Sequence, residues 1–454
     1  MKVRLISHAS VITSGPDTKV WCDPWLFGKA FNDSWSLHPP AAWREEWLEG
    51  VDFLWLSHEH PDHLHFPTLR SLPEAFKQRV TVLYQGRAPD EVRTALKRAG
   101  FPRFRTLPHR RFVSLTPRTR VYAYHAPYGD SCLAVVGGDR VCLNVNDAQI
   151  DASDCAHLRA DLGRVDVLLK QFSLAGYTGG KEYDGQLPGM AASILTHMVD
   201  VHRRLGAEVT IPFASFVYFS TSDNRYVNAY ANRPADAFRH LVEAGCGAAL
   251  LYPGDELDTE VPHDSAPALA RFAEAARDFE LLPIDEPPLV PLEELRKGFA
   301  DFCADIHDKF PPKRIDVLPP VHIRVPDLGR TLAMSIPERT LRDIGGVDLP
   351  AHLEVRSQAL RFAFGNRYGF ETMTISSRVF VLDDVDWPWI PNRDLLWLYR
   401  WRIWLAPKWL LSPGNLLRVL PWARERNLNA RGVARWATRR LRGGLSSLRR
   451  RFAG

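Results

Sequence analysis

The sequence has 454 residues, 45% of them apolar, and 58 basic against 53 acidic side chains give a formal charge of +5. That length and composition belong to a globular chain of about two or three domains. No stretch reaches the ~20 consecutive apolar residues of a membrane span; the nearest, residues 397–411, is interrupted by Arg400, Arg402 and Lys408. The N-terminal segment lacks the apolar core and small-residue cleavage site of a secretory signal. Six cysteines without a Cys-x-x-Cys pair suit a reduced, cytoplasmic protein.

Apolar patterning places short strands at residues 2–6, 10–12 and 19–22, then a strand at 51–57 whose unbroken apolar run predicts burial on both faces. Helices are expected at 67–76, 89–99 and 191–205. Strands are expected at 79–84, 113–115, 120–124, 132–136, 141–145 and 165–169. Strands alternating with helices imply an α/β layered domain over residues 1–265. From residue 266 the texture changes, with helices at 268–279, 292–310 and 356–364 and strands at 321–325, 353–355 and 371–381, read as an accessory α+β region over 266–400.

Residues 401–454 form a third kind of segment. They hold 13 basic residues and one acid, leaving the first 400 residues at −7. Val433, Ala437, Leu441, Leu445, Leu448 and Phe452 recur every three to four positions among arginines, the pattern of a basic amphipathic helix. Such a tail fits an anionic membrane surface, making the protein cytoplasmic and membrane-peripheral, whereas the acidic body argues against a nucleic-acid footprint.

The chemistry concentrates in Ser57-His58-Glu59-His60-Pro61-Asp62-His63, directly after the buried strand. His58 and His60 alternate, so both imidazoles can face one ion, and Asp62 and His63 can turn toward a second. Nitrogen and carboxylate donors in this mix suit zinc, iron or manganese. Asp147, at the end of the 141–145 strand, is placed to bridge two ions, and Asp62 is also placed to act as a general base. Asp23, after Trp21-Cys22, is either an orienting partner of a ligand histidine or a turn residue.

With His8-Ala9-Ser10-Val11, Asp23-Pro24-Trp25, the His58–His63 cluster and Asn146-Asp147, the sequence resembles the metallo-β-lactamase fold superfamily. The resemblance implies an αββα sandwich carrying two divalent metal ions. Residues 23–400 further resemble the non-Rieske portion of the CMP-N-acetylneuraminate hydroxylase family, at Asp23–Trp35, Asp130–Leu133, Leu143–Asp147, Pro212–Ala214 and the 356–378 region. It also implies a ligand near 125–130, either His125 or Asp130, and a final histidine after Pro212-Phe213-Ala214. Thr221 stands in that last place, so the second metal site is incomplete unless Asp223 or a water completes it.

Cys155-Ala156-His157 is the sole Cys-x-His, and no Cys-x-x-His exists, so a Rieske cluster is not expected here. The leading expectation is a metal-dependent hydrolase that uses a metal-bound water on a small ester, lactone, amide or phosphodiester, with Asp62 and Asp147 in catalytic roles. The alternative is an iron-dependent oxygenase served by a separate electron-transfer partner, and the third class is a metal-binding scaffold without turnover. A Gly-rich loop at 176–181 is read either as an anion-approaching loop or as a connection.

Overall fold

The computed structural model describes residues 1–86, 89–126, 129–176, 185–382, 389–410 and 415. Within the described residues the chain divides into two compact units, one made of residues 1–175 and 185–285, the other beginning at Glu286.

The first unit is an αββα sandwich. Its first sheet has seven strands in the order Glu256–Asp258, Lys2–Leu5, Val11–Ser14, Lys19–Cys22, Val51–Leu56, Thr81–Tyr84 and Arg103–Thr106. The pairs up to Lys19–Cys22 are antiparallel, and those beyond it are parallel. Val51–Leu56 thus has a parallel neighbour on each side, which explains its nearly continuous apolar run. The second sheet runs Thr119–His125, Ser131–Gly137, Arg140–Asn146, Val165–Gln171, Ala207–Phe213, antiparallel over its first three strands and parallel over its last three.

Period-two alternation decides the layers. Val20 and Cys22 point between the sheets with Trp55, Val135, Leu169 and Phe213, while Trp21 points outward onto Phe76 and the helices after the first sheet. Tyr122, Ala134, Leu143 and Leu168 do the same on the outer face of the second sheet, against Leu158 and Leu205 of helices Ala152–Leu162 and Leu187–Leu205. The result is four layers, helix, sheet, sheet, helix. The expected helix at 67–76 is two helices, Phe66–Ser71 and Glu74–Arg79, because Pro73 has no N–H to continue the first. Helix Ala266–Arg277 buries Ala268 and Phe272 in the core of this unit, which therefore runs to Asp285, past the expected boundary at 265.

The second unit has its own core around helix Leu292–Lys309 and a five-stranded sheet, Thr340–Gly345, Arg330–Ser335, Val321–Val325, Leu353–Glu354, Phe380–Val381. The strand expected at 371–381 is in fact helix Gly369–Ile375 followed by a two-residue strand. Phe370 and Met373, three apart, are both buried. Gly369 permits this, since a Cβ there would meet the Ala363 backbone at 2.4 Å. Residues 177–181 of the Gly-rich loop and the amphipathic pattern beyond 430 lie outside the described residues. Among the described residues no helix is long and apolar enough to cross a membrane.

Candidate metal centre

Three strand ends of the first unit hand their next residues to one place. Val51–Leu56 leads into Ser57 and the histidine cluster, Lys19–Cys22 into Asp23, and Arg140–Asn146 into Asp147. Asp23, Asn146 and Ala214 all have left-handed backbones, at φ 40°, 43° and 49°. Each turns the chain sharply where a strand stops. The Ala214 N–H donates to the His8 carbonyl at 3.0 Å, tying the loop after Lys2–Leu5 to the same edge.

Asp23 organises the histidines. Its Oδ1 accepts the Ser57 N–H at 2.8 Å, and its Oδ2 accepts the Ser57 hydroxyl at 2.6 Å and lies 2.8 Å from His63 Nδ1. Ser57 Oγ also lies 3.0 Å from His58 Nδ1. With their Nδ1 sides engaged, His58 and His63 present Nε2 to the carboxylates. His63 Nε2 is 3.4 Å from both Asp62 Oδ2 and Asp147 Oδ2, and His58 Nε2 is 3.7 Å from Asp147 Oδ2. Two ligand groups result, His8 with Asp62 and His63, and His58 with His63 and Asp147; within each, the donor atoms lie within 4.8 Å of one another.

His60 stands beside these groups, its Nδ1 2.8 Å from His58 Nε2 and its ring against Phe31. His125 and Asp130 are in neither group. The His125 Nε2 lies 3.0 Å from the Leu107 carbonyl, and Asp130 is buried, its carbonyl accepting the Ala126 N–H at 2.9 Å. Thr221 closes a turn, its hydroxyl 2.6 Å from Asp223 Oδ1 and 2.8 Å from Asn224 Oδ1, and Asp223 too is outside both groups. His8, absent from the ligand set expected from sequence, lies in one of the groups able to hold an ion: its Nε2 is 3.0 Å from Asp62 Oδ2. The one sequence signal for it is its place in His8-Ala9-Ser10, just past the first strand.

Electrostatics favour a cation here. Asp23, Asp62 and Asp147 are gathered around His63, with His63 and Asp23 fully buried. Burial opposes charge on His63, yet Asp147, Asp62 and Asp23 outweigh it and push its pKa well above the usual imidazole value. Burial likewise opposes ionisation of Asp62 and Asp147, but the surrounding histidines hold both well below the ordinary carboxylate range. Asp62 Oδ1 and Asp147 Oδ1 are buried and make no hydrogen bond among the described residues. Carboxylates whose Oδ2 atoms face imidazole nitrogens and whose Oδ1 atoms have no donor fit a divalent metal centre. Trp25, Trp35 and Phe31 pack on His8 and His60 and wall the cluster on one side. Buried Lys170, whose amine donates to the Ala148 carbonyl at 3.1 Å, braces the turn that carries Asp147.

Residues 2–169 match the model of the Beta-lactamase superfamily domain. Over those residues the chain carries a Beta-lactamase superfamily domain. One curated relative, named as a putative Rieske 2Fe-2S iron-sulfur protein in Mycobacterium tuberculosis, is 29% identical over 286 residues, covering 57% of this chain and 54% of the relative. A second, the cytidine monophosphate-N-acetylneuraminic acid hydroxylase of Danio rerio, is 26% identical over 287 residues, covering 56% of this chain and 46% of that one. The chain therefore spans about half the length of the curated relatives it matches. Among solved structures, a variant of the CmlA beta-hydroxylase aligns at 18% identity with a TM-score of 0.39, over 56% of this chain and 53% of that one.

Proposed function

We propose that the protein is a metal-dependent oxygenase acting on a small molecule, with its centre built from His8, His58, His60, Asp62, His63 and Asp147. The extent of the similarity carries this reading. The Rieske and hydroxylase relatives match over 286 and 287 residues, well beyond the residues 2–169 that the common domain model covers. The donor chemistry agrees, since an ion held by His63 in either group would have two histidines and one carboxylate, a set found around non-haem iron. Iron held there would supply O₂ activation, and the Mycobacterium tuberculosis relative, named as a putative Rieske 2Fe-2S iron-sulfur protein, supports an iron–sulfur electron donor.

The chain's own residues prepare the centre. Asp23 and Ser57 fix the tautomer and aim of His58 and His63, and Asp62 and Asp147 keep their negative charge in a buried site. Trp25, Trp35 and Phe31 exclude water from one side. Hydrolysis is the second reading, favoured by one observation: two histidines and a carboxylate are equally a catalytic zinc set. Ionised Asp62 would then take a proton from the attacking water.

The test is elemental analysis of the full chain, expressed with iron and zinc both supplied, followed by two assays. One measures O₂ uptake with a chemical reductant; the other measures turnover of generic lactones and phosphodiesters. About two irons per chain with reductant-dependent O₂ uptake is the expected result. Zinc with lactone or phosphodiester turnover and no O₂ uptake overturns the oxidative reading in favour of hydrolysis.

A further inference from the structure

A cavity of about 230 Å³ lies in the first unit, and none of the six metal-centre residues lines it. Its walls are mostly apolar, with Phe272 and Phe279 as the large faces. Its charged side chains are Arg233 and Asp236. Arg233 sits just before helix Pro234–Glu243 with its guanidinium 3.6 Å above the Phe279 ring. No carboxylate pairs with it among the described residues, and the nearby Asp236 carboxylate is taken by Arg239. Ser173 is 3% exposed, and its hydroxyl, unlike its backbone N–H, has no hydrogen-bond partner among the described residues.

Both groups are incompletely satisfied as they stand. The half-buried Arg233 guanidinium feels Glu280 and Asp236 but closes an ion pair with neither, and the buried Ser173 hydroxyl has no acceptor among the described residues, so each can gain from a ligand. The first turn of helix Pro234–Glu243 also lines the cavity and adds the positive end of a ten-residue helix. His38, across the cavity, packs edge-on against Phe279; burial, with Arg233 nearby, lowers its pKa to about 4, so it is neutral at pH 7. The site therefore holds one positive charge without an ion pair, an Asp236 carboxylate already paired with Arg239, one spare O–H donor and an aromatic floor.

We propose that this cavity binds a small aromatic or apolar monocarboxylate, with its carboxylate on the Arg233 guanidinium and the Ser173 hydroxyl and its body against Phe272 and Phe279. A phosphate dianion suits the site less, because Asp236 is part of the same lining and only one cation faces it. The volume is below that of a drug-sized pocket, which limits the ligand to a single ring or a short chain. The assignment does not depend on the metal-centre reading.

The test titrates the full chain with benzoate, benzamide and inorganic phosphate, by calorimetry or ligand-observed NMR, before and after chelator treatment. Benzoate is expected to bind in both states, at least tenfold more tightly than benzamide. Arg233→Met is expected to weaken benzoate about tenfold or more and Ser173→Ala several-fold, with the circular dichroism spectrum unchanged. Benzoate binding that is unaffected by both variants, is lost on chelation, or is absent at ~10 mM overturns the assignment. Phosphate binding as tightly as benzoate also overturns it. Ser173→Ala removes one hydroxyl from a small side chain, so it decides the matter if Arg233→Met does not fold.

Discussion

Asp23 Oδ2 and His63 Nδ1 lie 2.8 Å apart, both side chains fully buried, on residues that come after neighbouring parallel strands. The carboxylate fixes which nitrogen of His63 is left to face the two ligand groups, and His63 is the member those groups share. Asp23→Asn keeps the shape but removes the charge and supplies an amide where an acceptor is needed. Metal affinity should fall roughly 10- to 100-fold, as for other residues that orient a ligand histidine. Competition with a chromophoric chelator measures this directly. Unchanged affinity would show that His63 needs no such partner.

Asp147 belongs to one ligand group and Asp62 to the other. Asp147→Ala should therefore lower metal content, and Asp62→Ala should lower it as well. Elemental analysis after exhaustive dialysis is the readout. Full stoichiometry in Asp147→Ala would remove it from the ligand set.

The parts of this molecule legible in sequence are those encoded by short-range pattern. The strand at 51–56 and the cluster after it stand next to one another in the chain, and Asp147 comes after a strand as plain as any in the sequence. His8 is harder to see, because a lone histidine past a strand acquires meaning only when Asp62, 54 residues later, arrives beside it. Helix Gly369–Ile375 reads as a strand because Thr372, Thr374 and Ile375 are β-branched. Its state is decided instead by Phe370 and Met373 reaching a common core and by Gly369 admitting the Ala363 backbone. Arg233 and Ser173 carry no motif, since sixty residues separate them and only the cavity relates them.

His65 caps helix Phe66–Ser71, its Nδ1 accepting the Thr68 N–H at 3.3 Å and lying 2.9 Å from the Thr68 hydroxyl. Burial lowers its pKa from 6.5 to about 4. A histidine depressed in the folded state contributes stability that is complete above pH 6.5 and lost as pH falls toward 4. His65→Asn retains a capping acceptor and removes the titration. Between pH 7 and 4.5 the wild-type Tm should therefore fall further than that of His65→Asn, measured on protein stripped of metal. Parallel curves for the two proteins would show that His65 is not held neutral.

Ala214 combines burial, a left-handed backbone and the hydrogen bond that anchors the His8 carbonyl. An L side chain at φ 49° is strained, and the strain grows with branching at Cβ. Ala214→Gly relieves it at the cost of a floppier unfolded chain, so its stability should lie within about 1 kcal/mol of wild type, on the stable side or neutral. Ala214→Val should cost about 1–3 kcal/mol and, by shifting the turn, displace His8 from Asp62. Urea melts of the metal-free proteins test the first half of this argument. The second half is tested by metal titration, in which Ala214→Val should weaken an ion held through His8 and Asp62 while sparing one held through His58 and Asp147. Equal weakening at both positions would mean that Ala214 supports the whole strand edge and not His8 in particular.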